Sequence, residues 1–414
     1  MTALKDAAPG ARSHPADPRA WPWWAQVLGV YAASRALTTA LFLWVARLQG
    51  PNPWTPPRPG YWQLVALPFD ASWYRDVALH GYPLPLPTGP DGRVLQNAWA
   101  FFPLYPTATR GVMVLTRLPW EVAAPLLSTA LAGAALLLVH RCVAEGAPRA
   151  VAAWPGLPLA TVALVSVFPA SPVLQVAYSE SLALLLVAGA LLALVRCRYG
   201  WAALALVALA LTRPVVLPMA VVVVVHAAAR WRATARGDDE LRPRDGATLV
   251  GLVALAAASG FVWPAVAAWA TGVPGAFVRT QEAWRGTASV APFVGWTYVP
   301  QYWFGPWWPL VVAAGWAFAV AVLLAPSSWR LGRELHAWSA AYVAYLLAAP
   351  EPGSSLARFL LLAFPAGAAT AGAVGRTPRG RRVWLAFVVL LMVGLQAVWL
   401  RQVWVSSVEG NWPP

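Results

Sequence analysis

A short polar and aromatic segment stands out in a chain that is otherwise strongly apolar. Residues 70–82 read Asp-Ala-Ser-Trp-Tyr-Arg-Asp-Val-Ala-Leu-His-Gly-Tyr, and four of them have helical spacing: Asp70, Trp73, Tyr74 and Val77. A carboxylate at a membrane surface could accept the proton of an acceptor hydroxyl. An inverting sugar transfer is a single displacement, and one such base suffices for it. The simpler alternative is that Asp70 only caps an amphipathic helix.

Charged side chains also occur where later apolar stretches begin or end. Glu180 lies inside an apolar stretch, in the sequence Tyr-Ser-Glu-Ser that starts at Tyr178. An acid within a membrane is costly and is therefore a functional candidate, unless it only pairs with an intramembrane arginine. Arg213 and Arg358 are suited to hold a lipid phosphate through bidentate hydrogen bonds. Alternatively, they only extend their charges toward lipid headgroups.

Further candidates for donor or acceptor binding lie in two long segments between the apolar stretches. His80 could bind phosphate or simply cap its helix. Tyr105 belongs to an aromatic turn, Phe-Phe-Pro-Leu-Tyr-Pro, whose prolines exclude an ordinary helix interior. The turn leads into a second interfacial helix, or it is only a membrane anchor. The remaining candidates are Trp73, Tyr74 and Arg75 in the first segment, Gln281 in the second, and Tyr178 in the motif of Glu180.

The composition excludes an ordinary soluble enzyme. Of the 414 residues, 59% are hydrophobic and 11% are charged, whereas about 25% are charged in a typical soluble domain. The net charge is +14, and most of the basic residues lie in short loops between the apolar stretches. This distribution is typical of residues that set membrane orientation and not of a nucleic-acid interface. Cys142 and Cys197 form neither a disulfide framework nor a metal motif. Since the sequence contains no Asp-x-Asp motif or His/Cys cluster, we expect chemistry without a metal.

The apolar residues form long runs, and a bilayer core needs about 20 of them for each helical crossing. The first run is too long for a cleaved signal sequence and should remain as a span. We expect an all-α polytopic membrane protein with about eleven transmembrane helices, in a range of about nine to thirteen. The candidate spans cover residues 24–46, 121–143, 152–170, 172–195, 200–212, 214–230, 247–271, 307–325, 336–350, 357–374 and 383–404.

The basic residues predict the orientation of these spans. With a cytoplasmic N-terminus, 18 of the 30 lysines and arginines lie inside and 11 outside, so the C-terminus is extracytoplasmic. We expect a disordered cytoplasmic tail at residues 1–20, one transmembrane domain at 21–405 and a short extracytoplasmic tail at 406–414. Two aromatic outside loops, 49–120 and 271–306, are too long to be mere connections, and we therefore place the function there.

Five motifs, in their order, resemble those of the PIG-V-like mannosyltransferases, bacterial relatives of the second mannosyltransferase of GPI-anchor assembly in the GT-C superfamily. They are Asp-x-x-Trp-Tyr with His-Gly-Tyr, Phe-Phe-Pro-Leu-Tyr-Pro, Tyr-Ser-Glu-Ser, Thr-Arg-Pro and Arg-Phe-Leu-Leu-Leu-Ala-Phe-Pro, all within residues 24–374. The resemblance implies a GT-C-type helical bundle with interfacial helices in the first extracytoplasmic loop. It also implies an extracytoplasmic active site, a polyprenyl-phosphate sugar donor, usually mannose, and neither metal nor cofactor.

The resemblance further implies roles for individual residues. Asp70 would be the catalytic base, and Glu180, Arg213 and Arg358 would help to form the donor or acceptor site. One position departs from the family pattern, since Phe69 stands where a tryptophan usually precedes the aspartate. Phenylalanine keeps an aromatic wall but lacks the N–H donor of an indole.

The leading hypothesis is an inverting mannosyltransferase of the cell membrane. It would move a hexose from polyprenyl phosphate to a lipid-linked or cell-envelope glycan, and its partners would be the bilayer and these substrates, with no nucleic acid. A glycolipid transporter or flippase would also accommodate Glu180, but transporters often contain inverted repeats, and the sequence shows no convincing repeat. A non-catalytic membrane scaffold is the third hypothesis.

Overall fold

The computed structural model describes residues 21–286, 291–349, 353–373 and 377–406. Within these residues the regular structure is helical, apart from one antiparallel bridge between Thr88 and Val94. The expectation of an all-α fold is confirmed. The predicted tail at residues 1–20 lies outside the described residues, and so does the predicted C-terminal tail beyond residue 406.

The helices are numbered in chain order. The first ten are α1 (Trp23–Leu48), α2 (Tyr61–Ala66), α3 (Asp70–His80), α4 (Leu104–Thr116), α5 (Trp120–Gly146), α6 (Pro148–Ala153), α7 (Leu157–Val167), α8 (Glu180–Val195), α9 (Tyr199–Ala210) and α10 (Leu217–Ala235). The others are α11 (Pro243–Thr271), α12 (Ala276–Arg285), α13 (Val299–Phe304), α14 (Trp308–Leu324), α15 (Pro326–Trp329), α16 (Arg333–Ala348), α17 (Leu356–Phe359), α18 (Phe364–Ala373) and α19 (Pro378–Trp399).

Five helical stretches of the described chain are long and apolar enough to cross a membrane. They are Trp23–Leu48, Trp120–Gly146, Pro243–Thr271, Val294–Leu324 and Pro378–Trp404. Each coincides with one of the eleven predicted spans. The other six predicted spans coincide with shorter helices: α7, α8, α9, α10, α16 and the pair α17 and α18. The predicted polytopic membrane fold is therefore confirmed.

Helix α8 lies at the centre of the bundle. It packs against α5 and α9, and most of its side chains are buried. Its residues are apolar on all faces, which is typical of a helix surrounded by other helices. Helix α10 packs against α11 and α16. Helix α14, in contrast, buries none of its side chains and presents an apolar surface that suits lipid.

The connection between α7 and α8, residues 168–179, is almost entirely buried, and its only regular structure is a short 3-10 helix, Ser171–Gln175. Backbone polar groups outside an α-helix at membrane depth must be satisfied by the protein itself. Here Arg35 of α1 donates from Nη1 to the Ser171 carbonyl (2.8 Å) and from Nη2 to the Ser166 carbonyl (2.7 Å). The break ends α7 early and allows α8 to begin at Glu180, inside the bundle.

The two predicted outside loops pack against each other at one end of the bundle, which we call the loop end. Loop 49–120 contains α2, α3 and α4, and loop 271–306 contains α12 and α13. Trp284 Nε1 donates to the Asn97 carbonyl (3.2 Å), and Asn97 Nδ2 donates to the Thr280 hydroxyl (3.2 Å). These contacts hold both loops over the same helix ends.

Candidate functional site

Four charged side chains from distant parts of the sequence meet below the loop end. Arg358 Nη1 lies 2.6 Å from Asp70 Oδ2 and 2.8 Å from Glu180 Oε1. The same Glu180 oxygen lies 2.5 Å from Arg213 Nη1. The contacts form a linear sequence, Asp70–Arg358–Glu180–Arg213, which we call the ion-pair row. Its two positive and two negative charges balance each other.

The two ends of the ion-pair row are more accessible than its middle. The side chains of Asp70 and Arg213 are 17% and 12% exposed, whereas those of Arg358 and Glu180 are 7% and 1% exposed. Buried charges are tolerated when they are paired, and each of the two middle side chains is paired with both of its neighbours. Solvent therefore contacts Asp70 and Arg213 more than the two middle side chains, Arg358 and Glu180.

Helix N-termini place both carboxylates. Asp70 is the first residue of α3, and Glu180 is the first residue of α8. The helix dipole favours a negative charge at the N-terminus of each helix. Phe69 has a φ of 55°, which non-glycine residues rarely adopt. Its ring lies 4.6 Å from that of Trp54, so packing maintains the strained backbone. Phe69, and not Asp70, is the residue that precedes the first helical residue of α3, and the Asp70 carboxylate contacts Arg358.

Both arginines lie at the ends of neighbouring helices. Arg213 lies in the turn between α9 and α10, and Arg358 lies in α17, shortly after α16. The guanidinium carbons of Arg213 and Arg358 are 4.8 Å and 5.1 Å from the centre of the Phe359 ring. Arg358 also lies 5.1 Å from the centre of the Tyr178 ring. These cation–π contacts orient the two side chains toward the carboxylates.

Buried tyrosines lie beside the ion-pair row. The Tyr74 hydroxyl is 2.8 Å from the hydroxyl of Ser179. The Tyr105 hydroxyl donates to the Ala124 carbonyl (3.1 Å) and lies 2.8 Å from the Ser128 hydroxyl. Burial raises the pKa of Tyr74 and the pKa of Tyr105 well above the ordinary value of a phenol. Both phenols therefore stay neutral and hold α3 and α4 to the bundle.

Three buried polar atoms at the ion-pair row have no hydrogen-bond partner within the described part of the chain: Tyr178 Oη, Glu180 Oε2 and Arg358 Nε. Seven further buried polar side-chain atoms without a partner are spread over the rest of the described chain. Buried polar groups are nearly always paired, so the free atoms of the row leave hydrogen-bonding capacity at this position.

Two predicted site residues of α3 lie apart from the ion-pair row. Arg75 pairs with Glu121 at 3.7 Å, and His80 Nδ1 lies 2.8 Å from Asp76 Oδ1. His80 and Asp76 are well exposed, and Arg75 is half-exposed. Within the described residues, no ion pair connects Arg75 or His80 to the four charges of the row.

Trp73 and Gln281 lie where the two loops meet. Trp73 stacks parallel to Phe101, with ring centres 5.9 Å apart, and meets Trp284 edge-on at 5.1 Å. Gln281 is half-buried on α12, three residues before Trp284. Trp73 is three residues from Asp70, so this aromatic group stands about one helical turn from the ion-pair row.

Some residues of the site did not emerge from the sequence. Ser179 and Phe359 are adjacent to predicted residues in two of the motifs, and that adjacency was the available signal. Tyr342 donates to the Phe359 carbonyl (2.9 Å), and Tyr345 donates to the Pro214 carbonyl. Both tyrosines lie in the apolar helix α16, where nothing in the sequence separates them from ordinary packing residues.

An apolar cavity of about 710 Å³ lies within the bundle. Its walls include side chains of α7, α14, α16, α18 and α19. Ser354, Leu356 and Ala357, which precede Arg358 in the sequence, also line it, whereas the four side chains of the ion-pair row do not. The cavity therefore offers an apolar space whose wall includes the residue before Arg358.

No protein-family model matches this sequence, and no curated protein matches it. Among solved structures, the chain is similar to the crystal structure of the Archaeoglobus fulgidus oligosaccharyltransferase tethered with an acceptor peptide containing the NVT sequon via a disulfide bond. The sequence identity is 13% and the TM-score is 0.45; the match covers 91% of this chain and 55% of that chain. This chain thus spans about half the length of that protein.

Proposed function

We propose that the protein is an inverting glycosyltransferase that uses a lipid-linked sugar donor. The observation that carries the proposal is the order of the ion-pair row, with a carboxylate at one accessible end and an arginine at the other. An inverting displacement needs a base on one side of the anomeric carbon and a stabilised leaving group on the opposite side. A sugar that lies along the row would have the acceptor at Asp70 and the donor phosphate at Arg213.

The reaction moves one proton and one glycosyl group. Asp70 accepts the proton of the acceptor hydroxyl while the hydroxyl oxygen attacks the anomeric carbon. The bond between that carbon and the phosphate oxygen breaks, and its electron pair stays on the phosphate. The leaving lipid phosphate gains one negative charge, which Arg213 stabilises through charge-assisted hydrogen bonds. Arg358 keeps Asp70 Oδ2 at 2.6 Å, so the proton goes to Oδ1.

The apolar cavity supports a polyprenyl chain as the lipid of the donor. Its lining is apolar over five helices and includes Ala357, the residue before Arg358 in the sequence. A hydrocarbon chain in this space would bring its phosphate to the arginines of the ion-pair row. A prenyl chain that enters the cavity from the bilayer passes from one apolar environment to another, so packing contacts and not the hydrophobic effect would hold it there.

The sequence resemblance supports the finer parts of the proposal. It favours mannose as the sugar, a lipid-linked or cell-envelope glycan as the acceptor, and a reaction without metal or cofactor at the extracytoplasmic face. The aromatic group around Trp73 lies beside Asp70 and would contact the acceptor.

The decisive experiment measures transfer of radiolabelled mannose from polyprenyl-phosphate-mannose into membrane lipids, with chelator present. Asp70→Asn should lower transfer by about 10²- to 10⁴-fold, because the amide cannot accept the proton. Asp76→Asn is the matched control, since it makes the same change on an exposed part of the same helix. The control should transfer at the wild-type rate at equal expression.

The outcomes separate the mechanism from the enzyme class. Equal transfer by wild type and Asp70→Asn would remove Asp70 as the base and leave a transferase. Loss of wild-type transfer on addition of chelator would overturn the metal-free reaction. Absence of transfer by wild type with each lipid-linked hexose supplied, in membranes that contain the native acceptors, would overturn the glycosyltransferase itself.

A further inference from the structure

Glu180 is the most buried member of the ion-pair row, and it occupies both arginines with one oxygen. Its Oε1 lies 2.5 Å from Arg213 and 2.8 Å from Arg358, while its Oε2 accepts no hydrogen bond from the described residues. A carboxylate held only for structure would usually have both oxygens satisfied. Glu180 therefore binds both arginines through Oε1, while Oε2 remains without a hydrogen-bond donor among the described residues.

The row is electrically neutral before a substrate arrives. A donor phosphodiester adds one negative charge next to Arg213, and the row with its ligand would carry one uncompensated negative charge. An uncompensated charge in a buried site costs several kcal/mol, and a titratable group in such a place neutralises instead. Binding of the phosphodiester must therefore be accompanied by the uptake of a proton.

We propose that the Glu180 carboxylate occupies Arg213 until the donor binds, and that the donor phosphodiester then replaces it there. Glu180 takes up one proton when the phosphodiester binds. This inference rests on the proposed function for the identity of the ligand. Glu180 loses Arg213, is 1% exposed and already lacks a partner for Oε2. Asp70 and Glu180 then share Arg358, but Asp70 is 17% exposed, so water stabilises its charge better. The proton therefore goes to Glu180, and Asp70 stays free to act as the base.

The groups around Glu180 leave it as the proton acceptor. Among the described residues, Asp70 is the other carboxylate of the row, and the positive charges are Arg213 and Arg358. The titratable neighbours on the other described elements are phenols, whose ordinary pKa of about 10 keeps them protonated at neutral pH: Tyr74 on α3, Tyr105 on α4, Tyr178 in the 168–179 segment and Tyr342 on α16.

The first test uses the wild-type protein in phosphatidylcholine nanodiscs, with farnesyl methyl phosphate as the probe. The single negative charge of this phosphodiester does not titrate near neutral pH, so any pH dependence belongs to the protein. Affinity should rise by about tenfold for each unit of decreasing pH at pH values below the titration of Glu180 in the complex and above its titration in the free protein. Calorimetry in buffers of different ionisation enthalpy should show the uptake of about one proton for each ligand bound.

Variants identify the group that takes the proton. Glu180→Gln should bind the probe at least about tenfold more tightly at neutral pH, because the carboxylate that occupies Arg213 is gone, and its affinity should not depend on pH. Asp70→Asn should keep the pH dependence. Glu121→Gln, which changes a carboxylate paired with Arg75, should behave as wild type.

The inference is overturned if wild-type affinity does not change with pH, or if Glu180→Gln binds the probe more weakly. If Glu180→Gln fails to fold, the wild-type pH series and proton count still decide. Binding of phosphatidylglycerol but not of the prenyl probe would overturn the lipid-linked donor as the occupant. These readouts need no turnover, so proton-coupled binding without sugar transfer would sustain the inference while the proposed enzyme activity fails.

Discussion

Arg213 and Arg358 differ in their contacts, although both were predicted to hold phosphate. Arg358 joins Asp70 to Glu180, so its loss would leave two buried carboxylates without their shared partner. Removing one member of a buried ion pair typically costs about 3–5 kcal/mol of stability. Arg213 contacts Glu180 alone among the carboxylates of the described chain and is more exposed. Arg358 is thus a positioning residue, and Arg213 is the better candidate to contact substrate.

This difference leads to a prediction about Arg213. Arg213→Gln should lower kcat/KM for the lipid-linked donor by about 10²- to 10³-fold, since one donor of charge-assisted hydrogen bonds to the leaving phosphate is lost. Glu180 keeps Arg358 at 2.8 Å, so the protein should remain folded. Donor titrations in the transfer assay would measure the effect. Arg110→Gln, an exposed arginine of α4, is the control and should change kcat/KM less than twofold; equal losses in both variants would contradict a specific role.

At the scale of the elements, hydropathy predicted where the helices lie but not how they end. All eleven predicted spans are helices, because a bilayer forces apolar stretches to satisfy their own hydrogen bonds. The early end of α7 was not predicted, since it depends on Arg35, which lies more than 130 positions away from the carbonyls it contacts. Such a contact has no local sequence signal.

The sequence predicted the members of the site but not all of their contacts. Placing Asp70, Glu180, Arg213 and Arg358 at one face followed from topology, and the structure brings these four together. A helix turns by about 100° per residue, so Arg75 lies about 140° around α3 from Asp70. Helical phase alone could therefore have separated Arg75 from the site. The sharing of Glu180 by two arginines requires coordinates, because three segments distant in sequence meet there.

A close backbone contact between helix ends provides a prediction about stability. Gly332, just before α16, has a φ of 82°, and a Cβ at this position would lie 2.1 Å from the carbonyl oxygen of Gly146 in α5. Gly332→Ala should therefore lower the free energy of unfolding by more than about 2 kcal/mol, through backbone strain and steric overlap. Gly272→Ala is the matched control, since Gly272 has a φ of 67° but nothing within 4 Å of the added Cβ.

Thermal unfolding in detergent would compare the two glycine variants. The control should show only the cost of the left-handed conformation, about 1–2 kcal/mol. If both variants lost the same free energy of unfolding, the close contact between α5 and the start of α16 would contribute nothing to the effect of Gly332→Ala.

At the scale of the whole molecule, the site depends on contacts far from it. Helices α10 and α16 pack together, with Arg213 just before the first and Arg358 shortly after the second. Away from the loop end the same two helices are joined by His226, whose Nδ1 lies 2.8 Å from Glu334 Oε1. Arg230 of α10 also donates to the Tyr199 hydroxyl (2.8 Å). The spacing of the two arginines is thus set along the full length of a helix pair.

The same geometry provides a test of membrane orientation with a native label. Helix α8 begins at Glu180 in the site and its 16 residues extend about 24 Å, so the exposed Cys197 lies at the end opposite the loops. Cys142 is buried and should stay unreactive. The predicted orientation places Cys197 in the cytoplasm and residue 95, a leucine that is 50% exposed, outside.

A membrane-impermeant maleimide should therefore label the Leu95→Cys variant in intact spheroplasts and leave the wild type unlabelled. After permeabilisation the wild type should become labelled at Cys197, which shows that this thiol is reactive and was protected only by the membrane. Two results together would show the opposite orientation: the wild type is labelled in intact spheroplasts, and Leu95→Cys is labelled no more than the wild type. The ion-pair row would then face the cytoplasm, and the proposed extracytoplasmic transfer would have to be abandoned together with the basic-residue argument that predicts it.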